Sequence, residues 1–148
     1  MYIGADHAGF ALKEKLVALL AQQGFRVRDL GARVLVPGDD YPAIAAKVAR
    51  AVGAGKGMGV LLCGSGAGVC FTANKFPGVR ASLATSPAAL CSMRADDDLN
   101  ILCLPARFCS YARARAMLRE FLETTFSGAV RHRRRLRAVS RIEAQQRV

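Results

Sequence analysis

The chain has no tryptophan, only two histidines, and half as many acidic as basic residues, 11 against 22. No apolar run reaches the length that a bilayer demands, and no basic segment precedes the strand-like start at Met1, so a soluble cytoplasmic protein is expected. Five cysteines, at 63, 70, 91, 103 and 109, form an odd set without a CxxC pair, and neither histidine has a zinc ligand's spacing. That argues against a disulfide framework and against a structural metal, and fits a reducing compartment. Two glycine-loop chemistries are also missing an essential part. The dinucleotide fingerprint needs a third glycine where Val69 stands and an acidic residue about twenty positions on, where none is found. Gly53-Ala54-Gly55-Lys56-Gly57 lacks the Ser or Thr of a nucleotide-binding P-loop and precedes a strand instead of following one, so it reads as a helix stop and turn.

What is present centres on Leu61-Leu62-Cys63-Gly64-Ser65-Gly66-Ala67-Gly68-Val69, an apolar strand that ends in a cysteine and runs at once into three alternating glycines. Glycines at 64, 66 and 68 let the backbone turn sharply and expose successive N–H groups, and the segment 68–75 can open a helix whose N-terminus favours negative charge. A thiol held there should titrate low and act as a base or nucleophile. A free cysteine at a strand end is ordinarily a small buried hydrophobe; the glycine loop directly after Cys63 favours the functional reading.

With 148 residues, 52% of them hydrophobic, the chain can bury a sizeable core as one domain over 1–130, with 131–148 as a basic helical extension. Periodicity predicts strands over 2–5, 25–30, 58–63, 79–84 and 100–104. Helices are predicted over 10–23 and 41–52 and near 67–75, 86–94 and 110–125, with 31–40 as a loop. This alternation implies a mostly parallel sheet covered on both faces, with ligands beyond the carboxyl ends of the strands. Asp6-His7, Cys63-Gly64-Ser65 and Asp96–Asp98 are expected to converge there. The bland readings are an N-cap for Asp6, a locally bonded histidine for His7, core packing for Tyr41 and a solvated acidic turn for Asp96–Asp98.

Charge is concentrated at the end, where residues 131–148 carry seven arginines against one glutamate. A basic run of this kind is ordinarily a solvated helix face or a nucleic-acid patch. No aromatic side chains are interleaved for base stacking, which argues against specific nucleic-acid binding. Arg131 and Arg135 stand one helical turn apart, so their guanidinium groups can grip one phosphate together.

Asp6-His7-Ala8-Gly9, Asp40-Tyr41-Pro42, Cys63-Gly64-Ser65-Gly66-Ala67-Gly68, Ala73-Asn74-Lys75, Asn100-Ile101-Leu102 and Arg131-His132 with Arg135, in that order along nearly the whole chain, resemble the type B ribose-5-phosphate isomerases. The related galactose-6-phosphate isomerase subunits share the likeness. The resemblance implies a three-layer α/β/α Rossmann-like domain with a five-stranded mostly parallel sheet and a C-terminal helical tail. It also implies a homodimer, or a tetramer built from it, with sites shared between chains, and neither a metal nor an organic cofactor. Within it Asp6 and Tyr41 line the sugar site, His7, Arg131 and Arg135 bind phosphate, and His132 stands beside them. Arg107, in the Pro105-Ala106-Arg107 turn, resembles an arginine directed toward the partner's phosphate site.

Moving a proton between C1 and C2 of an aldose phosphate needs a base and a means of holding the negative enediolate. Cys63 is the candidate base, the N–H groups from Gly64 through Gly66 and Ala67 to Gly68 are the candidate anion hole, and Ser65 can pass a proton between the two sugar oxygens. One departure from the resembled family stands out. Its members usually carry His-Asn where this chain has Asp96 and Asp97, and that histidine is held to open the cyclic sugar. Asp96 can accept the ring hydroxyl's proton, but a carboxylate does not change charge near neutrality unless burial raises its pKa; Asp97 beside it is a candidate substrate contact. Three readings stay in view beside the pentose isomerase. They are an isomerase of a six-carbon sugar phosphate, a sugar-phosphate-binding protein with weakened turnover, and a nucleic-acid-associated protein using the basic tail.

Overall fold

The computed structural model describes residues 1–146. Its elements alternate as the periodicity predicts: β1 (Tyr2–Ala5), α1 (Phe10–Gln22), β2 (Arg28–Asp29), α2 (Tyr41–Gly53), β3 (Gly59–Cys63), α3 (Ala67–Ala73), β4 (Ala81–Leu83), α4 (Pro87–Asp97), β5 (Ile101–Pro105), α5 (Tyr111–Glu123) and α6 (Val130–Gln145). The five strands form one all-parallel sheet in the order β2-β1-β3-β5-β4. Side chains alternate across the strands, so each face meets its own helical layer. Ile3, Val60, Leu62, Leu102 and Leu104 pack under α1, α4 and α5, while Leu61, Cys63, Ile101 and Cys103 pack under α2 and α3. The result is a three-layer α/β/α domain of Rossmann-like form.

Local chemistry sets most boundaries. Ser86 caps α4 by accepting from the Ala89 N–H at 3.2 Å, with Pro87 at the first position, and Ser110 caps α5 by accepting from the Arg113 N–H at 3.3 Å. The strand expected over 25–30 shrinks to Arg28–Asp29. It is an edge strand that can pair on one side only, and the chain leaves it at Gly31, whose backbone lies so close to Ala5 that a Cβ there would sit 3.1 Å from the Ala5 nitrogen.

A larger correction concerns Asp96–Asp98. These residues lie at the amino ends of the strands, not at the carboxyl ends where they were expected. The helix between two parallel strands runs back against them, so the end of α4 returns the chain to the starting edge of β5. Nor are they a capped acidic turn: Asp96 and Asp97 form the last turn of α4, three residues beyond its expected end. Asp98 stops the helix in the left-handed conformation at φ 49°, which aspartate tolerates better than most residues. Its carboxylate pairs with Arg80 at 2.6 Å and with Arg94 at 3.5 Å.

α6 packs on α4 and is tied at its far end by Glu143, whose carboxylate accepts from the Gly78 N–H at 3.0 and 3.1 Å. Residues 147 and 148 of the predicted extension lie outside the described residues. No described helix is long and apolar enough to cross a membrane.

Candidate active site

Three strand ends, those of β1, β3 and β5, open on a cleft of about 340 Å³. β1 delivers Asp6 and His7, β3 delivers Cys63 and the glycine loop, and the turn after β5 delivers Arg107, while Tyr41 enters from the start of α2. Asp6 is buried, and its Oδ1 accepts from the N–H groups of Ala8 and Gly9 at 3.0 and 3.1 Å. It therefore does the work of a local cap while its carboxylate still faces the cleft. The His7 main-chain N–H donates to Asp39 Oδ1 at 2.6 Å, and its ring Nδ1 lies 3.2 Å from both that oxygen and the Asp39 carbonyl.

The glycine loop behaves as an anion cradle should. Gly66 takes the left-handed conformation at φ 75° and its N–H donates to Cys63 Sγ at 3.2 Å, which folds the loop around the sulfur. Cys63 itself is buried. The Ala67 N–H reaches Ser65 Oγ at 3.4 Å, while the N–H groups of Ser65 and Gly68 have no acceptor among the described residues. Gly68 lies flat against the Tyr41 ring, where a Cβ would come within 2.6 Å of the phenol carbon. The Arg107 guanidinium lies across Gly64 in the same way, 3.1 Å from where a Cβ would stand, and it faces its own chain's cleft. Behind the cradle a second thiol pair forms: a hydrogen bond from Cys103 draws Cys70 down to about 7 against the opposing effect of burial, while the same bond and burial push Cys103 up.

Nine of the residues singled out from the sequence thus line one cleft: Asp6, His7, Tyr41, Cys63, Gly64, Ser65, Ala67, Gly68 and Arg107. Gly66 shapes it from behind. Five others do not join them. Asp96, Asp97, Arg131, His132 and Arg135 gather at the opposite end of the sheet, where α4 ends and α6 begins. His132 is 2% exposed, with Nδ1 2.8 Å from Ser127 Oγ and 3.4 Å from Asp96 Oδ1, and its burial turns Arg131 and Arg135 outward. Asp97 borders a groove of about 380 Å³ walled by Met93, Leu99, Leu136 and Val139.

Two cleft residues, Ala8 and Phe71, and one residue that bonds to the cleft's histidine, Asp39, escaped the sequence reading. Ala8 sits inside the first motif, and Asp39 immediately precedes the second. Phe71 was hidden in a helix, yet it lies one turn after Ala67 and Gly68 and so shares their face. Its ring meets Tyr41 edge-on, with centroids 6.2 Å apart and planes at 86°.

The comparisons with known proteins agree with this geometry. Residues 1–139 match the family described as Ribose/Galactose Isomerase. A protein of Mycoplasma genitalium named probable ribose-5-phosphate isomerase B is 37% identical over 98% of this chain and 96% of its own length. The ribose-5-phosphate isomerase B of Escherichia coli K12 is 36% identical over 95% of this chain and 93% of its own. The crystal structure of the Mycoplasma genitalium ribose-5-phosphate isomerase B with bound ribulose-5-phosphate superposes with a TM-score of 0.92, covering 97% of this chain and 95% of that one. This chain belongs to the ribose/galactose isomerase family.

Proposed function

We propose that the protein is an aldose–ketose isomerase that interconverts ribose 5-phosphate and ribulose 5-phosphate through an enediolate. The observation that carries this reading is the cleft itself, which sets a buried thiol, a hydroxyl and unengaged backbone N–H groups beside a histidine and an arginine suited to phosphate. Cys63 takes the proton from C2 and returns it to C1, the Ser65 and Gly68 N–H groups hold the oxyanion, and Ser65 Oγ moves a proton between O1 and O2. His7 and Arg107 face the phosphate, and Asp6 and Tyr41 hold the sugar hydroxyls. Such proton transfers need no metal and no organic cofactor. Ribulose-5-phosphate bound to a 37% identical relative supports the substrate assignment.

The groove that Asp97 borders at the far end of the sheet is walled mainly by apolar side chains and holds no thiol or imidazole for proton transfer. We infer a homodimer, alone or paired into a tetramer, in which Arg131 and Arg135 of one chain close the phosphate end of the partner's cleft. Asp96 then takes the ring hydroxyl's proton while His132 holds its carboxylate, and Asp97 contacts the sugar. A site between two copies gives the two outward arginines an anion to bind and gives Asp97, which has no cation within 4 Å among the described residues, a polar group to meet. The proposed setting is the cytoplasm, where phosphorylated sugars are found.

An assay of the purified protein across five- and six-carbon aldose phosphates tests the reading. The highest kcat/KM is expected on ribose 5-phosphate. A preference for a six-carbon substrate would move the assignment to the galactose branch of the family, and saturable binding without turnover would leave only a binding protein.

A further inference from the structure

Two oxygens of one residue face His7 Nδ1: Oδ1 and the carbonyl oxygen of Asp39, both at 3.2 Å. An ionised carboxylate and a carbonyl can only accept, so Nδ1 carries hydrogen whether the ring is neutral or charged. Nε2 is then the nitrogen that meets whatever fills the cleft, and its protonation decides what it can bind. Oδ1 of Asp39 also accepts from the His7 main-chain N–H at 2.6 Å, so a single oxygen grips both the backbone and the ring. The two side chains are 18% and 38% exposed, which screens the contact from bulk water in part.

The loop that carries Asp39 has other anchors as well. Its start is held by the Lys13 ammonium on the Ala32 carbonyl at 3.0 Å and by the Gly31 N–H on Asp29 Oδ1 at 2.9 Å, and its end runs straight into α2.

We propose that Asp39 is a positioning residue that holds the His7 ring with Nδ1–H on its carboxylate and Nε2 turned to the substrate, so that Nε2 donates to the phosphate when it too carries hydrogen. The assignment rests on reading the cleft as a sugar-phosphate site. A freely turning imidazole would divide its time among orientations, and the histidine would lose much of its hold on the anion.

Two histidines in the chain make the test direct, because a long-range ¹H–¹⁵N spectrum contains only two ring systems, and His7→Gln assigns them. The wild type should show His7 hydrogen on Nδ1, and Asp39→Ala, which keeps only the main-chain carbonyl as acceptor, should shift part of the population to the Nε2–H tautomer. The same variant should bind inorganic phosphate about tenfold more weakly and raise KM for ribose 5-phosphate by a similar factor, with kcat held within about twofold. Asp39→Asn, whose amide oxygen can accept both bonds, should restore the tautomer and most of the affinity. The proposal is overturned if Asp39→Ala leaves the tautomer balance where the wild type has it, or if it leaves phosphate affinity unchanged. A wild type that turns over no ribose 5-phosphate would sink the functional reading alone, since the tautomer and the phosphate titration still decide this one.

Discussion

The two ends of the sheet are built from opposite materials. At the carboxyl ends, the cleft is made largely of main chain: a loop wrapped on Cys63 by the Gly66 N–H, a glycine flat against Tyr41, and another under Arg107. At the amino ends stands a patch of full charges, with two aspartates in the last turn of α4 where the helix dipole already concentrates negative charge, at a cost of about 0.3–1 kcal/mol each. Some of that cost is offset locally, since Asp96 lies 3.4 Å from His132. Asp97 has no cation within 4 Å among the described residues. The difference teaches that the thiol end is shaped by its own main chain, whereas the charged end is the one on which the proposed second copy would have to act.

The comparison breaks most easily at Cys63. If the carboxyl end holds the proton-transfer chemistry, Cys63→Ser should lower kcat at least about a hundredfold while KM changes little, because a hydroxyl is a far weaker base than a thiolate. The substitution is preferable to alkylation, which would also attack Cys70, drawn down to about 7 by its bond with Cys103. Near-normal turnover in Cys63→Ser would move the base elsewhere.

Mixing two damaged chains sharpens the comparison further. Replacing both Arg131 and Arg135 by Ala should raise KM about tenfold or more, a loss that shrinks as salt screens the phosphate, while Arg133→Ala and Arg134→Ala should matter little. Each damaged chain spoils a different end. Co-expressed with Cys63→Ser, the double arginine variant forms mixed dimers in which one cleft draws its thiol and its arginines from intact halves. At substrate levels that starve the arginine variant, about a quarter of wild-type activity should return, as half the dimers carry one good site of two. No recovery, or a monomeric mass by light scattering, would confine the site to one chain.

Much of this was legible before any coordinates, and the reason is physical. The motifs Asp6-His7, Tyr41-Pro42 and Cys63–Gly68 sit at strand ends or helix starts, where short-range rules decide what a residue does, so their convergence followed from a parallel sheet alone. The placement of Asp96–Asp98 depended instead on the direction of the chain. Residues that lead from a helix into a parallel strand lie at that strand's amino end wherever the helix stops, so the acidic run before β5 could not reach its own chain's cleft; the extra turn ended by Asp98 only settles that two of the three aspartates are helical. Phe71 and Asp39 were hidden for a related reason. One reads as helix packing and the other as a loop carboxylate, and only the fold sets Phe71 in the cleft and Asp39 against His7.

The smallest expected effect concerns the aspartates themselves. A carboxylate at Asp96, half exposed and paired with His132, accepts a proton from a sugar's ring hydroxyl less readily near neutrality than an imidazole would. Opening the ring should then be slow beside proton transfer at Cys63. Deuterium at C2 of ribose 5-phosphate should accordingly give only a small isotope effect on kcat, since the slow step precedes C–H cleavage, and substrates with a larger open-chain fraction should react faster. Asp96→His with Asp97→Asn puts an imidazole where the resembled isomerases carry one, removes two negative charges from the end of α4, and should both speed turnover a few-fold and enlarge the isotope effect. A full primary effect in the wild type would mean that Asp96 already opens the ring fast enough, or that the ring opens unaided. A faster double variant whose isotope effect stays small would place its gain in the stability of α4 instead of in the chemistry.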